Sequence, residues 1–249
     1  MLSIFKVKRS QGKQYIADLR AAVPQGFAGR PVVDGVACQA GCAACVEVCG
    51  TQAIQLDPVR LDLGRCVFCQ DCAVVCPVKK IQFTPDTHLA ASTAEGLVVA
   101  QGARALPPVA VSQALRDMFG RSLKLRSVST GGCNACELEL NALGNVNFDL
   151  GRYGIEFVAS PRHADALVLS GPLTANMDQA LELCWAGMPE PKFVIAFGAC
   201  AISGGPYQAS TALDRAFLTR NVPVLYLPGC PPHPLTFVNG IMDLLGIQR

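Results

Sequence analysis

The chain has 249 residues, enough for two small domains with a sizeable core, and a formal net charge of +2, which gives no strong field to recruit nucleic acid or an acidic substrate. Hydrophobic residues make up 51% and charged residues only 16%, an apolar balance that points to surface buried against partner chains. Thirteen cysteines could form a secreted disulfide framework, but their spacings are those of metal ligands and imply a reducing compartment.

Residues 1–30 carry Lys6, Lys8, Arg9, Lys13, Arg20 and Arg30 against Asp18. They contain neither a signal-peptide apolar core nor a twin arginine. Two expectations stand side by side: a solvated basic tail, or a docking arm against a partner subunit or an anionic membrane surface. No later stretch approaches the ~20 apolar residues of a membrane span. The nearest, 193–202, reads as a short buried strand leading into a loop.

Residues 31–84 hold two cysteine runs. The second, Cys66-Val-Phe-Cys69-Gln-Asp-Cys72-Ala-Val-Val-Cys76-Pro77, has the C-x2-C-x2-C-x3-C-P spacing of bacterial ferredoxins. In that run three close cysteines wrap one cubane, and the fourth ligates a second cluster. The following proline fixes φ and removes a donor, ending the ligand loop. The first run is Cys38, Cys42, Cys45 and Cys49, and Cys42, Cys45, Cys49 and Ile54 recur 27 residues later as Cys69, Cys72, Cys76 and Ile81. A repeated half-unit with crossed fourth ligands predicts one [4Fe–4S] cluster on Cys38, Cys42, Cys45 and Cys76, and another on Cys66, Cys69, Cys72 and Cys49. In the first run the opening step is x3 rather than x2, and Gly50 stands where proline is usual.

Other metal chemistry competes. Zinc sites also use C-x2-C pairs, but three cysteines within seven residues crowd a tetrahedral ion. Cys38-x3-Cys42-x2-Cys45 also matches the radical-SAM triplet, which leaves one iron open; here Cys49 and the second run complete the ferredoxin pattern.

Residues 85–110, rich in Ala, Thr, Gly and Pro, read as a linker, with the apolar stretch 97–99 able to pack along the second domain. His88 carries no signal there. A short amphipathic helix is expected over 111–119. Beyond it, strands over 125–129, 155–159, 166–169, 193–197 and 222–227 alternate with helices over 135–143, 177–186 and 233–245. That alternation predicts an α/β layer fold with a mainly parallel sheet in residues 111–249. Sites in such sheets form at the carboxyl ends of strands.

The remaining cysteines fall at those ends. Gly131-Gly132-Cys133-Asn134-Ala135-Cys136-Glu137 follows the first strand, Gly198-Ala199-Cys200 the fourth, and Pro228-Gly229-Cys230-Pro231-Pro232 the fifth. Glycines let the backbone turn tightly beside a bulky group, and helix N-termini favour an anion. Cys133, Cys136, Cys200 and Cys230 are therefore expected to hold a third [4Fe–4S] cluster, against the alternative that they are buried and inert. Cys184, beside Trp185, reads as a core residue. His163 and His233 are expected near the cluster edge, tuning its potential or simply capping and packing. Glu137 reads as a charge favouring a helix start. No P-loop or Rossmann glycine fingerprint implies a nucleotide.

These motifs, with Ser160-Pro161-Arg162-His163-Ala164-Asp165, resemble the small electron-transfer subunit of energy-converting [NiFe] hydrogenases such as formate hydrogenlyase, a family that includes the 20 kDa subunit of respiratory complex I. The match covers about 122–246. Complex I members begin the site with adjacent cysteines, whereas Cys133 and Cys136 are separated by two residues, as in hydrogenases. The stretch Phe27-Ala28-Gly29-Arg30-Pro31 and the cysteines after it resemble the ferredoxin subunit of the same complexes, so the chain looks like a fusion of two neighbouring subunits. The resemblance implies an electron-transfer subunit with three [4Fe–4S] clusters and no catalytic centre of its own. For Glu137 it implies a proton-path group at the subunit boundary, as the alternative to a helix-start charge. A [NiFe] centre needs four further cysteines in the family pattern, and twelve of the thirteen are used. The active site would lie on a partner large subunit, in a complex on the cytoplasmic face of the membrane. A complex I-like quinone oxidoreductase subunit is the alternative.

Overall fold

A computed structural model describes residues 2–247. The chain forms a small cysteine-rich unit packed on a parallel α/β unit, with a basic N-terminal helix, α1 (Leu2–Gln11), ahead of both. The cysteine-rich unit is built from short strands. β1 (Pro31–Val33) pairs antiparallel with β4 (Ile81–Phe83), while β2 (Ile54–Gln55) and β3 (Arg60–Asp62) form an antiparallel pair. Two short helices, α2 (Ala44–Glu47) and α3 (Asp71–Val75), fill the repeat. The core here is Val33, Ala53, Ile54, Val59, Leu61, Leu63 and Ile81, with Cys66 and Cys72 among them.

The linker expectation is corrected. Residues 98–100 form β5 (Val98–Ala100), which adds to β3 and completes a three-stranded sheet; Leu61 lies opposite Val99. Leu97 is buried in the core of the cysteine-rich unit, which Ala196, Ala201 and Tyr226 of the α/β unit share. Ala91 bridges Tyr226 of the α/β unit. The segment is poor in periodicity because it contacts different elements in turn, not because it is free.

The α/β unit carries five strands: β6 (Leu123–Ser129), β7 (Ile155–Phe157), β8 (Ala166–Ser170), β9 (Phe193–Phe197) and β10 (Leu225–Leu227). All pair in parallel, in the order β10-β9-β8-β6-β7. Chain order reverses between β6 and β8, which makes a crevice outside their carboxyl ends. Every residue of β8, β9 and β10 is buried, as expected of a sheet covered on both faces. On one face Leu123, Leu125, Val168, Ile195 and Phe197 pack against α4 (Gln113–Phe119), α5 (Ala135–Ala142) and α9 (Pro234–Leu244). On the other, Leu167, Leu169 and Val194 meet α6 (Asp178–Ala186) and α8 (Ala216–Arg220) through Leu181 and Phe217.

Helix α9 is buried at every residue but Asp243, so it is covered nearly all round. The sheet covers one side. The rest is covered by the N-terminal arm and the 84–97 segment: Arg20 donates to the Asn239 carbonyl at 3.1 Å and pairs with Asp243, and the Asn239 amide donates to Thr87 Oγ1 at 3.2 Å. Gly240 lies so close that a Cβ would stand 2.5 Å from Leu227 Cδ2 and 2.9 Å from Ala90 Cβ. The arm is thus divided. Ile16 donates its amide to the Asn147 carbonyl and Arg30 pairs with Asp86, so residues 16–30 bind this chain itself, while Ile4, Phe5 and Val7 of α1 stand exposed. The His88 ring and the Arg30 guanidinium hold the Asp86 carboxyl well below the usual carboxylate range.

Candidate metal centres

The crossed repeat places the cysteines of the first unit around two cavities. One is lined by Cys38, Cys42, Cys45 and Cys76. The other is lined by Cys49, Cys66, Cys69 and Cys72. The helical turns α2 and α3 cause the exchange: each carries the last cysteine of its run away from its own loop and toward the other. Residues Phe68 (φ 59°) and Gln70 (φ 68°) adopt left-handed backbone on either side of Cys69, curling the loop round the second cavity. Backbone amides donate to sulfur: Ala53 to Cys49 Sγ at 3.3 Å, Phe68 to Cys66 Sγ at 3.3 Å and Lys80 to Cys76 Sγ at 3.2 Å. Donors aimed at sulfur are what an anionic iron–sulfur cluster uses to set its potential.

The third set stands at the carboxyl edge of the sheet. Cys133 and Cys136 follow β6, Cys136 lying in the first turn of α5; Cys200 lies in α7 (Ala199–Ser203) after β9; and Cys230 follows β10. The ionisation of Cys136, Cys200 and Cys230 is disfavoured first by burial and then by the neighbouring thiols, Cys133 among them. The loops are cramped around them. Gly198 has φ 94°, and a Cβ there would stand 2.8 Å from Cys136 Sγ.

Burial is the main cause that pushes Cys66, Cys72 and Cys136 up to about 12 and Cys200 up to about 11, and neighbouring cysteines add to it. Ligation needs thiolates, so loading these sites displaces protons, and iron supplies the positive charge that the bare thiolates lack. The two cavities lined by four thiols, with amides donating to sulfur, fit [4Fe–4S] groups, and at the third set the glycine beside Cys136 leaves room for one.

The histidines divide. His233 caps α9, its Nδ1 accepting from the Leu235 amide at 3.0 Å, and its ring packs 5.0 Å from Phe27. Burial lowers its pKa, which keeps it neutral as a capping acceptor requires. His163 is corrected: it precedes β8, so it lies at the amino edge of the sheet, opposite the cysteines, and is exposed. Glu137 accepts from Ser170 Oγ at the end of β8, leaving its Oε2 buried without a partner. Cys184 packs beside Trp185 against the α6 face of the sheet, away from the other cysteines. Arg215 escaped the sequence reading. Its guanidinium donates to the carbonyls of Cys200, Ala201 and Ile202, at 3.2, 2.7 and 2.8 Å, closing the end of α7. No motif marks an arginine 15 positions beyond the cysteine it supports.

Residues 133–244, the span from Cys133 through α9, match the family described as NADH ubiquinone oxidoreductase, 20 Kd subunit. A curated relative from Pyrococcus furiosus, "Probable membrane-bound hydrogenase subunit mbhJ", is 39% identical over 129 residues, covering 51% of this chain and 77% of the relative. The chain belongs to the NADH ubiquinone oxidoreductase 20 kDa subunit family. Ahead of that span, residues 37–86 match a 4Fe–4S dicluster domain. Among solved structures, a chain of the archaeal membrane-bound sulfane sulfur reductase is similar at 29% identity with a TM-score of 0.45, over 54% of this chain and 74% of that one. No helix among the described residues is long and apolar enough to cross a membrane.

Proposed function

We propose that this member of the 20 kDa subunit family is an electron-transfer subunit with three [4Fe–4S] clusters, on Cys38/Cys42/Cys45/Cys76, Cys49/Cys66/Cys69/Cys72 and Cys133/Cys136/Cys200/Cys230. It exchanges electrons with the [NiFe] site of a partner large subunit in a membrane-associated hydrogenase complex of the formate hydrogenlyase type. It sits on the cytoplasmic side as a peripheral subunit held by its partners. The hydrogenase assignment is supported by the relative from Pyrococcus furiosus and by the two residues that separate Cys133 from Cys136.

The observation that carries the proposal is the continuity of the three thiol sets. Cys45 and Cys72 belong to different sets, yet ionisation of one is felt by the other. Val67 and Phe68, from the loop between Cys66 and Cys69, line one pocket together with Cys230, Pro231 and His233. The two units are also fastened elsewhere: Gln208 donates to the Thr51 carbonyl at 3.1 Å, and Ala196, Ala201 and Tyr226 share the core of the cysteine-rich unit. These contacts support an order in which the second site lies between the first and third. Clusters held at these sets supply one-electron redox chemistry. The protein's own part is to hold the thiolates, aim amides at the sulfurs and frame the junction between the units with Phe27, Phe68 and the prolines of 228–232.

Exchange of the fourth ligands gives the test. Cys76→Ser is expected to alter the paramagnetic signal of the site fed by Cys38, Cys42 and Cys45, leaving the Cys66/Cys69/Cys72 site intact. A change confined to the latter site contradicts the ligand sets.

A further inference from the structure

Among the described residues, Lys80 is the only lysine, arginine, aspartate or glutamate that is fully buried, at 2% exposure. Its sequence neighbour Lys79 is exposed and donates to the Val74 carbonyl, an ordinary surface lysine. Lys80 turns inward. Its ammonium donates to the carbonyl of Val36, and the residue lines the cavity formed by Cys38, Cys42, Cys45 and Cys76. Among the described residues its ammonium forms no salt bridge with a carboxylate. A buried charge without a counter-ion is strongly disfavoured, and one carbonyl satisfies only one of the three N–H groups. The anion that this ammonium lacks is what four thiolates around iron would provide. The second cavity differs: besides its cysteines, the only ionisable residue lining it is Asp71, which is exposed.

We propose that Lys80 is the built-in counter-ion of the Cys38/Cys42/Cys45/Cys76 site and that its fixed charge raises the reduction potential of that site alone. This rests on the assignment of a cluster to those four cysteines. Reduction adds one negative charge to the site, and a buried cation beside it stabilises the reduced state more than the oxidised one. Lys80 is a positioning residue: it ligates nothing and acts through the field inside the cavity. In the proposed order of sites, with the second between the first and third, its charge favours the electron on the first.

The test is an anaerobic redox titration of the full chain, followed by electron paramagnetic resonance, on wild type, Lys80→Met and Lys80→Arg. The signal of the first site is identified by its loss in Cys38→Ser. Lys80→Met keeps length and removes charge. It is expected to make reduction of the first site about tenfold less favourable, a downward shift of about 59 mV for a one-electron couple. Lys80→Arg should stay near wild type, and the other two sites should not move. If the first site assembles in Lys80→Met with an unmoved potential, the proposal is wrong. Failure of the methionine variant to retain that site, with the arginine variant intact, also supports a counter-ion; loss in both variants overturns it in favour of a role in shape. If Cys38→Ser changes no signal and no iron content in an otherwise wild-type chain, the ligand assignment itself fails, independently of Lys80.

Discussion

Replacing Cys200 by alanine is expected to abolish the signal of the sheet-edge site and stop electron exchange with the partner subunit, while both sites of the N-terminal unit still assemble and still accept electrons from a chemical reductant. Cys200 lies in the short helix α7, and its thiol belongs to the set formed with Cys133, Cys136 and Cys230. The eight cysteines of the N-terminal unit are untouched by the change. If the second site feeds the third across the Val67–Phe68 pocket, removing the third leaves the first two reduced with no exit. Hydrogen uptake or production by the intact complex should therefore collapse. Cys184→Ala is the control: that side chain is half-buried beside Trp185, and its truncation should cost about 1 kcal/mol or less without altering any cluster signal. Full activity of the Cys200 variant in an intact complex, or loss of a cluster signal in the Cys184 variant, would falsify the ligand set.

A second large effect is expected at a residue that ligates nothing. Gly198→Ala should lose the sheet-edge site even though all four cysteines remain. Gly198 joins β9 to α7 with φ 94°, a conformation that costs an L-residue about 1–3 kcal/mol, and the added Cβ would stand 2.8 Å from Cys136 Sγ. The sulfur would have to leave the position that completes the set. Gly240→Ala separates this from general instability. Its Cβ would collide with Leu227 and Ala90, overpacking the core by about 1–3 kcal/mol, but no cysteine is within 4 Å among its nearest atoms. Denaturant unfolding should show both variants weakened, whereas iron content and the sheet-edge signal should fall only in Gly198→Ala. Retention of that signal in Gly198→Ala would mean that the loop yields and that the cradle is not needed.

Much of this was legible because the chemistry is local. A cysteine at fixed spacing on a loop says where its thiol goes, and apolar strands such as 193–197 announce a sheet buried on both faces. Parallel topology then delivers the strand-end loops to one edge. What the sequence hid was long-range. The stretch 85–110 lacks a period because it pairs with β3, bridges Tyr226 and covers α9 in succession. The last strand begins at Leu225 rather than at 222, since Val222 is exposed and Pro223 has no amide to donate. His163 was drawn toward the cluster by its place in a motif, but the direction of β8 puts it at the other edge. Nothing in Lys79-Lys80 tells which lysine turns inward; only the cavity that forms from two distant runs of cysteines does.

The most direct measurement is the iron, acid-labile sulfide and zinc content of the full chain, purified without oxygen and reconstituted to saturation. Three sets of four cysteines, each holding one [4Fe–4S] cluster, predict twelve irons and twelve sulfides per chain and no zinc. Eight irons after full reconstitution would leave one set without a cluster, and zinc in place of iron would contradict the electron-transfer account at its root.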